Sequence, residues 1–293
     1  MRALRVCASD GAEADLCLTE APGARFGLLW LPALGVSARH YQAFAGALAA
    51  TGVSVAVHEW RGAGSSNMRA SRQCDWGYRE LLECDIPASL EAARSALPEV
   101  RWIVAGHSIG GQFACLHAAS SPSRTSAIAM VASGSPYLET FPSRRRWLMR
   151  LIPLAVHMLT AVCGYYPGKR VGFAGTEART LMRDWVRSAR TGLYASYSGE
   201  IEIEKRMGEY AKPFLSIQLE DDSLCPPESR DWLLGKFGNA SIERIGLQAG
   251  DFDNQLATHF SWMKEPAPVA SQIANWIERR IEPDIDSPAV SAA

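Results

Sequence analysis

The sequence lacks an excess of charge, a secretion signal and paired cysteines, and each absence excludes a class of protein. The 293 residues carry a formal net charge of −1, so we do not expect nucleic-acid binding. The first ten residues contain no apolar signal-peptide core or cleavage site, so we expect a cytoplasmic protein. Seven cysteines without a C-x-x-C pair indicate reduced thiols, no disulfides and no zinc site.

The chain also lacks an uninterrupted apolar run. The longest apolar stretch, Trp147 to Tyr166, contains Arg150 and Pro153 and is a poor transmembrane span. Because Arg144 to Arg146 precede part of it, peripheral membrane contact over Arg144 to Met158 is one alternative. A helix that covers the rest of the protein is favoured, and a liposome flotation assay distinguishes the two.

Strand and helix patterns alternate along the chain. Short apolar runs bounded by turn residues predict strands, and apolar residues at helical spacing predict helices. The predicted strands cover 2–8, 14–19, 26–31, 53–58, 103–107, 126–132, 214–219 and 241–247. The predicted helices cover 38–50, 76–97, 227–237 and 266–281, with one more starting at 109. This alternation predicts an α/β fold, with a mostly parallel sheet and helices on both faces.

The alternation stops in the middle of the chain. Residues 137–212 are rich in tryptophan and arginine and have a helical pattern, so they are interpreted as a helical insertion. Residues 1–136 and 213–281 then form the α/β core. Residues 282–293, rich in Pro, Ser, Ala and Asp, are predicted to be a loose tail.

One strand ends in a serine motif. Ile103 to Gly111 reads as an apolar strand, then Gly-His-Ser-Ile-Gly, then the start of a helix. In a G-x-S-x-G turn the glycines allow close backbone contact, and the serine hydroxyl becomes accessible. Ser108 is therefore a candidate nucleophile, and the Ile109 N–H at the helix start is a candidate oxyanion donor.

A serine nucleophile in such a turn needs an acid and a histidine base, which follow it along the chain in that order. His259 lies between the last strand and the last helix, and the other five histidines precede every candidate acid. The acid comes from the carboxylates after the strand at 214–219. Its spacing to Pro226 favours Asp222, with Asp221 second.

These residues resemble the α/β-hydrolase superfamily over nearly the whole chain outside the insertion. In that family the acid commonly stands four residues before a proline, as Asp222 does before Pro226. Glu59 to Ser66 is similar to the family segment D-x-R-G-x-G-x-S. Gly164 to Lys169 and Met182 to Trp185 resemble a poorly characterised bacterial group of predicted α/β hydrolases, which implies no substrate.

The resemblance implies an α/β-hydrolase fold in which the insertion is a helical cap over the nucleophile. Apolar residues of this cap suggest an apolar acyl or alcohol pocket, although they equally fit simple packing of the cap onto the core. These residues are Leu148, Met149, Leu151, Ile152, Leu154, Met158, Leu159, Tyr165 and Tyr166.

One segment differs from the standard family pattern. Where many members have His-Gly after the third strand, this chain has Leu31 to Gly35. By position, the second oxyanion N–H comes from Leu34, although the adjacent Pro32 has no N–H to donate. Arg61 and its neighbouring glycines are interpreted as a structural turn rather than a phosphate site, because no G-x-x-x-x-G-K pattern accompanies them.

The sequence therefore predicts a serine hydrolase that cleaves a carboxylic ester through an acyl-enzyme. Ser108, His259 and Asp222 form the triad, Leu34 and Ile109 bind the oxyanion, and no metal or cofactor is required. The expected partner is a small ester or thioester. Thioester cleavage and acyl transfer by the same triad remain alternatives, as does a non-catalytic member of the fold that binds a small molecule.

Overall fold

An eight-stranded sheet runs through the protein. The computed structural model describes residues 1–142, 150–194 and 202–281. The strands of this part are β1 (Arg2–Cys7), β2 (Glu13–Thr19), β3 (Phe26–Leu31), β4 (Ser54–Val57), β5 (Arg101–His107), β6 (Ile128–Val131), β7 (Tyr165–Pro167), β8 (Thr176–Ala178), β9 (Pro213–Leu219) and β10 (Ser241–Leu247). The large sheet has the order β1-β2-β4-β3-β5-β6-β9-β10.

Most neighbouring strands in this sheet are parallel. Only β1 with β2 and β2 with β4 pair antiparallel, so the sheet begins with a hairpin that turns around Asp10 and Gly11. From β4 to β10 every pairing is parallel. The carboxyl ends of β5, β6 and β9 therefore meet at one edge, where open α/β sheets place their sites.

Helices cover both faces of the sheet, as the alternating pattern predicts. The helices of the described residues, including those of the insertion, are α1 (Gln42–Ala49), α2 (Tyr78–Glu80), α3 (Ile86–Ala96), α4 (Ile109–Ser120), α5 (Leu151–Cys163), α6 (Gly168–Val171), α7 (Arg179–Thr191), α8 (Ile203–Glu209), α9 (Pro227–Leu234) and α10 (Ala267–Arg280). Successive side chains of β3 enter two separate cores: Leu28 and Trp30 pack with α1 and α10, and Leu29 and Leu31 with α3 and α4. This explains why β3 is buried along its full length.

The helix predicted over 76–97 is not one regular helix. It begins at Tyr78, and Leu81–Asp85 forms a π-helical turn before α3. Pro87 stands at the second position of α3 and has no N–H for an ordinary helical hydrogen bond. The Ile86 N–H bonds five residues back to Leu81, so the π turn joins the two helical segments.

The insertion at 137–212 is not wholly helical, which corrects the sequence interpretation. It contains a two-stranded antiparallel sheet, in which Tyr165 of β7 pairs with Ala178 of β8. Gly164 at φ +82° ends α5, so the Tyr-Tyr pair that follows adopts an extended conformation. Pro153 lies in the first turn of α5 instead of breaking it, because an N–H at that position has no helical acceptor.

The outward face of α5 is apolar. Leu151, Leu154, Met158 and Val162 are exposed on it. Arg144 to Arg146 and residues 282–293 lie outside the described residues, so peripheral membrane contact and the loose tail stay predictions. Of the helices in the described ranges, none has the length and apolar character needed to cross a membrane.

Candidate active site

The backbone of Ser108 is held in a strained turn between β5 and α4. Its φ of +57° and ψ of −125° are rare for a residue with a side chain. Its N–H donates to the Val131 carbonyl of β6 at 3.1 Å. The Ser133 hydroxyl donates to its carbonyl at 2.6 Å. These contacts fix the turn, and Ser108 lies on the wall of a cavity.

The glycines on either side of Ser108 have no room for a side chain, as the G-x-S-x-G spacing predicts. A Cβ on Gly106 would lie 2.3 Å from the carbonyl carbon of Gly110. A Cβ on Gly110 would lie 2.0 Å from the carbonyl oxygen of Leu31. Since both neighbours are backbone atoms, no side-chain rotation relieves the overlap.

Gly110→Ala is expected to destabilise the fold by about 1–3 kcal/mol, because the added methyl group pushes α4 away from β3. Activity should fall as well, since Ile109 moves with the helix. The matched control is Gly46→Ala in α1, where nothing lies within 4 Å of the new Cβ; this change should stabilise by about 0.5–1 kcal/mol. Urea unfolding measures both, and equal effects would contradict the steric argument.

The histidine and one of the two candidate acids come together at the carboxyl edge of the sheet. His259 Nδ1 lies 2.8 Å from Asp222 Oδ2. The other carboxylate oxygen accepts the N–H groups of Leu224 at 2.9 Å and Cys225 at 3.0 Å. The Asp222 side chain is fully buried and the His259 side chain is 8% exposed. The carboxylate therefore holds one tautomer of the imidazole, with the proton on Nδ1.

Asp221, the second candidate acid, points elsewhere. Its side chain is exposed and accepts a long bond, 3.4 Å, from the Ala257 N–H. The geometry thus separates the two neighbouring aspartates: Asp222 contacts the histidine, and Asp221 ties the histidine loop to the end of β9.

The two candidate oxyanion donors face the same cavity. Leu34 and Ile109 both line it, together with Ser108. As the first residue of α4, Ile109 has an N–H with no acceptor inside that helix. Leu34 lies inside a tight turn closed by the bond from the Val36 N–H to the Ala33 carbonyl, so the turn does not use the Leu34 N–H.

Buried aromatic residues brace the segment around Pro32. Trp60 Nε1 donates to the Pro32 carbonyl at 2.9 Å. The Tyr41 hydroxyl accepts the Ala33 N–H at 2.9 Å and lies 2.8 Å from His107 Nδ1. Burial lowers the pKa of His107 well below its usual value, so the neutral ring accepts the hydroxyl proton at Nδ1. Sequence reasoning missed Tyr41, whose role depends on contacts distant in sequence.

The cavity at Ser108 has a volume of about 540 Å³. His259, Gln112 and four serines supply most of its polar groups. Its larger apolar lining residues are Leu34, Ile109, Pro136, Phe141, Ile152, Phe173, Trp185, Leu224 and Phe260. Four of these, Phe141, Ile152, Phe173 and Trp185, belong to the insertion, which therefore contributes to one wall of the cavity.

Most of the insertion residues expected to line this cavity do not do so. Of the described members of that set, only Ile152 lines the cavity. Leu151, Leu154 and Met158 face outward because they occupy the opposite side of α5. Leu159, Tyr165 and Tyr166 pack against the core, whereas Leu148 and Met149 lie outside the described residues. Apolar composition indicated a cavity lining but could not indicate which helix face supplies it.

Arg61 has a structural position, in line with its interpretation as part of a turn. Its side chain is 3% exposed and forms ion pairs with Asp85 at 2.6 Å and Asp10 at 2.7 Å. The guanidinium that a phosphate would need is thus already paired with two carboxylates. Among the described residues, no three His, Cys, Asp or Glu side chains come together as metal ligands.

Comparisons with known proteins agree with this architecture. A family model described as "Serine aminopeptidase, S33" matches residues 28–245. No curated protein sequence matches the chain.

Solved structures give further matches of the fold. DcsB, in complex with a substrate analogue, matches with a TM-score of 0.66 at 14% identity, over 96% of this chain and 99% of that one. A structure described under LipS and LipT, two metagenome-derived lipolytic enzymes, matches with a TM-score of 0.61 at 16% identity, over 90% of this chain and 97% of that one. Est1E from Butyrivibrio proteoclasticus, with ferulic acid bound, matches with a TM-score of 0.61 at 18% identity, over 95% of this chain and 99% of that one. At these identities the likeness concerns the fold.

Proposed function

Because the chain belongs to the serine aminopeptidase S33 family of α/β hydrolases, we propose that it hydrolyses a carboxylic ester through Ser108, His259 and Asp222. The observation that carries the proposal is the 2.8 Å contact between His259 and Asp222, on the rim of the cavity that also contains Ser108. The strained Ser108 turn supports it, since such strain is typical of nucleophiles. The description of LipS and LipT as lipolytic favours an ester.

Each residue has a defined chemical role in this proposal. His259 takes the proton of Ser108 as the hydroxyl attacks the ester carbonyl, and Asp222 orients the ring and stabilises its cationic form. The N–H groups of Leu34 and Ile109 bind the oxygen that becomes negative. His259 then donates its proton to the leaving alcohol. A water molecule activated by His259 finally releases the acid from the acyl-enzyme.

The insertion acts as a cap in this proposal. Ile152, Phe173 and Trp185 shield part of the cavity from water and create an apolar environment beside the nucleophile. Oxyanion stabilisation is stronger where water is excluded.

Esters that differ only in the length of the alcohol test the substrate class. The apolar lining predicts that kcat/KM rises with each methylene added to the alcohol until the cavity of about 540 Å³ is filled. A buried methylene contributes about 0.8 kcal/mol, which is a few-fold per step. Initial rates across the series measure the trend.

A preference for methyl over longer esters would contradict the apolar-cavity proposal. Trp185→Ala is the matched structural probe, because it enlarges the cavity and should move the optimum to a longer alcohol. Thioesters and amides of the same acids, and an added alcohol acceptor, test the thioesterase and acyltransferase alternatives. If no substrate reacts but small apolar molecules still bind, the non-catalytic alternative is supported.

A further inference from the structure

A second cavity adjoins the proposed oxyanion hole. It has a volume of about 500 Å³, and Leu34 and Ile109 line both it and the first cavity. Among the described residues, its lining includes neither Ser108 nor His259. The two oxyanion residues therefore separate the first, apolar cavity, which contains the nucleophile and the base, from the second cavity, whose lining is described below. The two cavities are called the apolar chamber and the second chamber.

The β7–β8 hairpin forms the rest of the partition. Residues 172–174 line the first cavity and residues 175–177 line the second. The same segment packs directly on the oxyanion turn: a Cβ on Gly35 would lie 2.3 Å from the Gly175 nitrogen. A substrate whose carbonyl lies in the oxyanion hole can therefore extend one end into each chamber.

The second cavity is cationic. Arg39, Arg69 and Lys169 line it. Within the described residues none of the three forms a close ion pair with a carboxylate, although Arg39 interacts electrostatically with the buried carboxyl group of Glu59. Arg69 donates instead to backbone carbonyls, including that of Gly64 at 3.0 Å. Arg61 also lines the cavity, but its charge is already offset by Asp85 and Asp10.

One acidic residue opposes these cations. Glu177 is the single carboxyl group in the described lining; it is buried and accepts the Gly175 N–H at 2.8 Å. Burial raises the pKa of Glu177 to about 7 despite the Gly175 N–H and the nearby Lys169, so near neutral pH its negative charge is weakened. Burial also raises the pKa of Glu59, the carboxyl group near Arg39. The three cations of the lining therefore outweigh these two acids, and the chamber has a net positive charge.

We propose that this second cavity binds an anionic group, a carboxylate or a phosphate, at the far end of the substrate's acyl chain. This inference rests on the proposed ester hydrolysis. The leaving alcohol must receive its proton from His259, which lines the apolar chamber, so the alcohol occupies that chamber and the acyl chain the other. The lining of the second cavity also includes three aromatic residues, Trp60, Trp76 and Phe113. They provide apolar contacts for the part of the acyl chain that joins the carbonyl to the anion.

The test compares matched esters of one apolar alcohol. Their acyl chains have equal length and end in a methyl, a carboxylate or a phosphate group. We expect kcat/KM to be at least about tenfold higher for an anionic chain than for the methyl chain, since two or more cations face the anion. The carboxylate and phosphate arms show which anion the cavity prefers. Moving the carboxylate to the alcohol should abolish the advantage.

Charge-removing variants show where the advantage arises. Lys169→Gln and Arg39→Gln should each lower the ratio of anionic to neutral kcat/KM by about threefold to tenfold. The matched control is Arg170→Gln, which removes one charge from the neighbouring position on α6 but from a side chain outside the described lining. It should leave the ratio unchanged.

The possible failures are distinguishable. Ser108-dependent hydrolysis of all chains at equal rates, or an equal loss of the ratio in Arg170→Gln, overturns this inference and leaves the proposed function intact. Failure to hydrolyse any ester overturns the proposed function. In that case the second cavity is tested by calorimetric titration of the carboxylate-ended ester into Ser108→Ala. If this ester binds no more tightly than the methyl-ended ester, the inference is overturned.

Discussion

Ser108→Ala is expected to lower kcat/KM for simple esters by about 10⁴-fold to 10⁶-fold while the protein stays folded. The hydroxyl is the only group placed at the strained turn that could form the acyl-enzyme, and alanine has no atom to replace it. The oxyanion donors and the cavity remain, so a small residual rate over water is expected. Initial rates with an ester of an apolar alcohol measure the loss, and urea unfolding verifies the fold.

Ser216→Ala is the matched control for this substitution. Ser216 is buried in β9, and its hydroxyl has no hydrogen-bond partner among the described residues. Removing it makes the same chemical change away from the cavity, so activity should remain. A fluorophosphonate should label wild-type protein at Ser108 and leave Ser108→Ala unlabelled. Full activity in Ser108→Ala would refute the mechanism.

His259→Ala should produce a loss as large as that of Ser108→Ala, because the two residues act as one unit. A double variant should lose little more than either single variant. Asp222→Asn should cost somewhat less, since the ring keeps its position but the preferred tautomer and the stabilising negative charge are lost. Additive losses in the double variant would indicate two independent roles instead of one triad.

The succession of the sheet's strands along the chain and the serine turn could be predicted because local sequence determines them. β3 and β5 are apolar runs buried on both faces, and the glycines beside Ser108 are required by backbone contacts within a few residues or with the adjacent strand. The order of serine, acid and histidine follows from chain topology. Sequence left Asp221 and Asp222 as alternatives, and only the turn after β9 distinguishes them.

The cavity walls could not be predicted because they depend on contacts between distant segments. Phe141 and Trp185 are unremarkable aromatics in sequence, and they become lining residues only through the path of the insertion. The β7–β8 hairpin was missed because each strand has three residues, too few to show an alternating pattern. Glu177 lies on β8, and Lys169 lies on α6 in the connection between the two strands. The cationic cavity therefore could not be predicted from the sequence, for the same reason.

The second large effect concerns stability and the ion pair of Arg61. Asp85→Asn is expected to destabilise the protein by about 3–5 kcal/mol. The two side chains are 3% and 6% exposed, and Asp85 accepts two bonds of 2.6 Å from the guanidinium. Removing the carboxylate charge leaves Arg61 buried with only Asp10, which is 35% exposed, as a charged partner. Urea unfolding measures the change in the free energy of unfolding.

The matched control removes an exposed ion pair. Arg79→Gln breaks the pair with Glu83, one helical turn away, where both side chains are exposed to solvent. It should barely move the unfolding midpoint, because solvent screens such pairs and side-chain entropy offsets the attraction. A comparable loss in this variant would mean that charge removal alone, irrespective of burial, explains the effect of Asp85→Asn.

Replacing both partners separates the cost of breaking the pair from its net contribution. Burial raises the pKa of Asp85 to about 6 even beside Arg61, so the cost of removing the carboxylate from water exceeds the stabilisation that Arg61 gives it. Arg61→Met combined with Asp85→Leu should therefore be much less destabilising than Asp85→Asn alone. If the double variant were as unstable as the single one, the pair itself, together with its bond to Asp10, would stabilise the fold. Arg61 would then contribute to stability through attraction, and not merely through the penalty of leaving its charge unpaired.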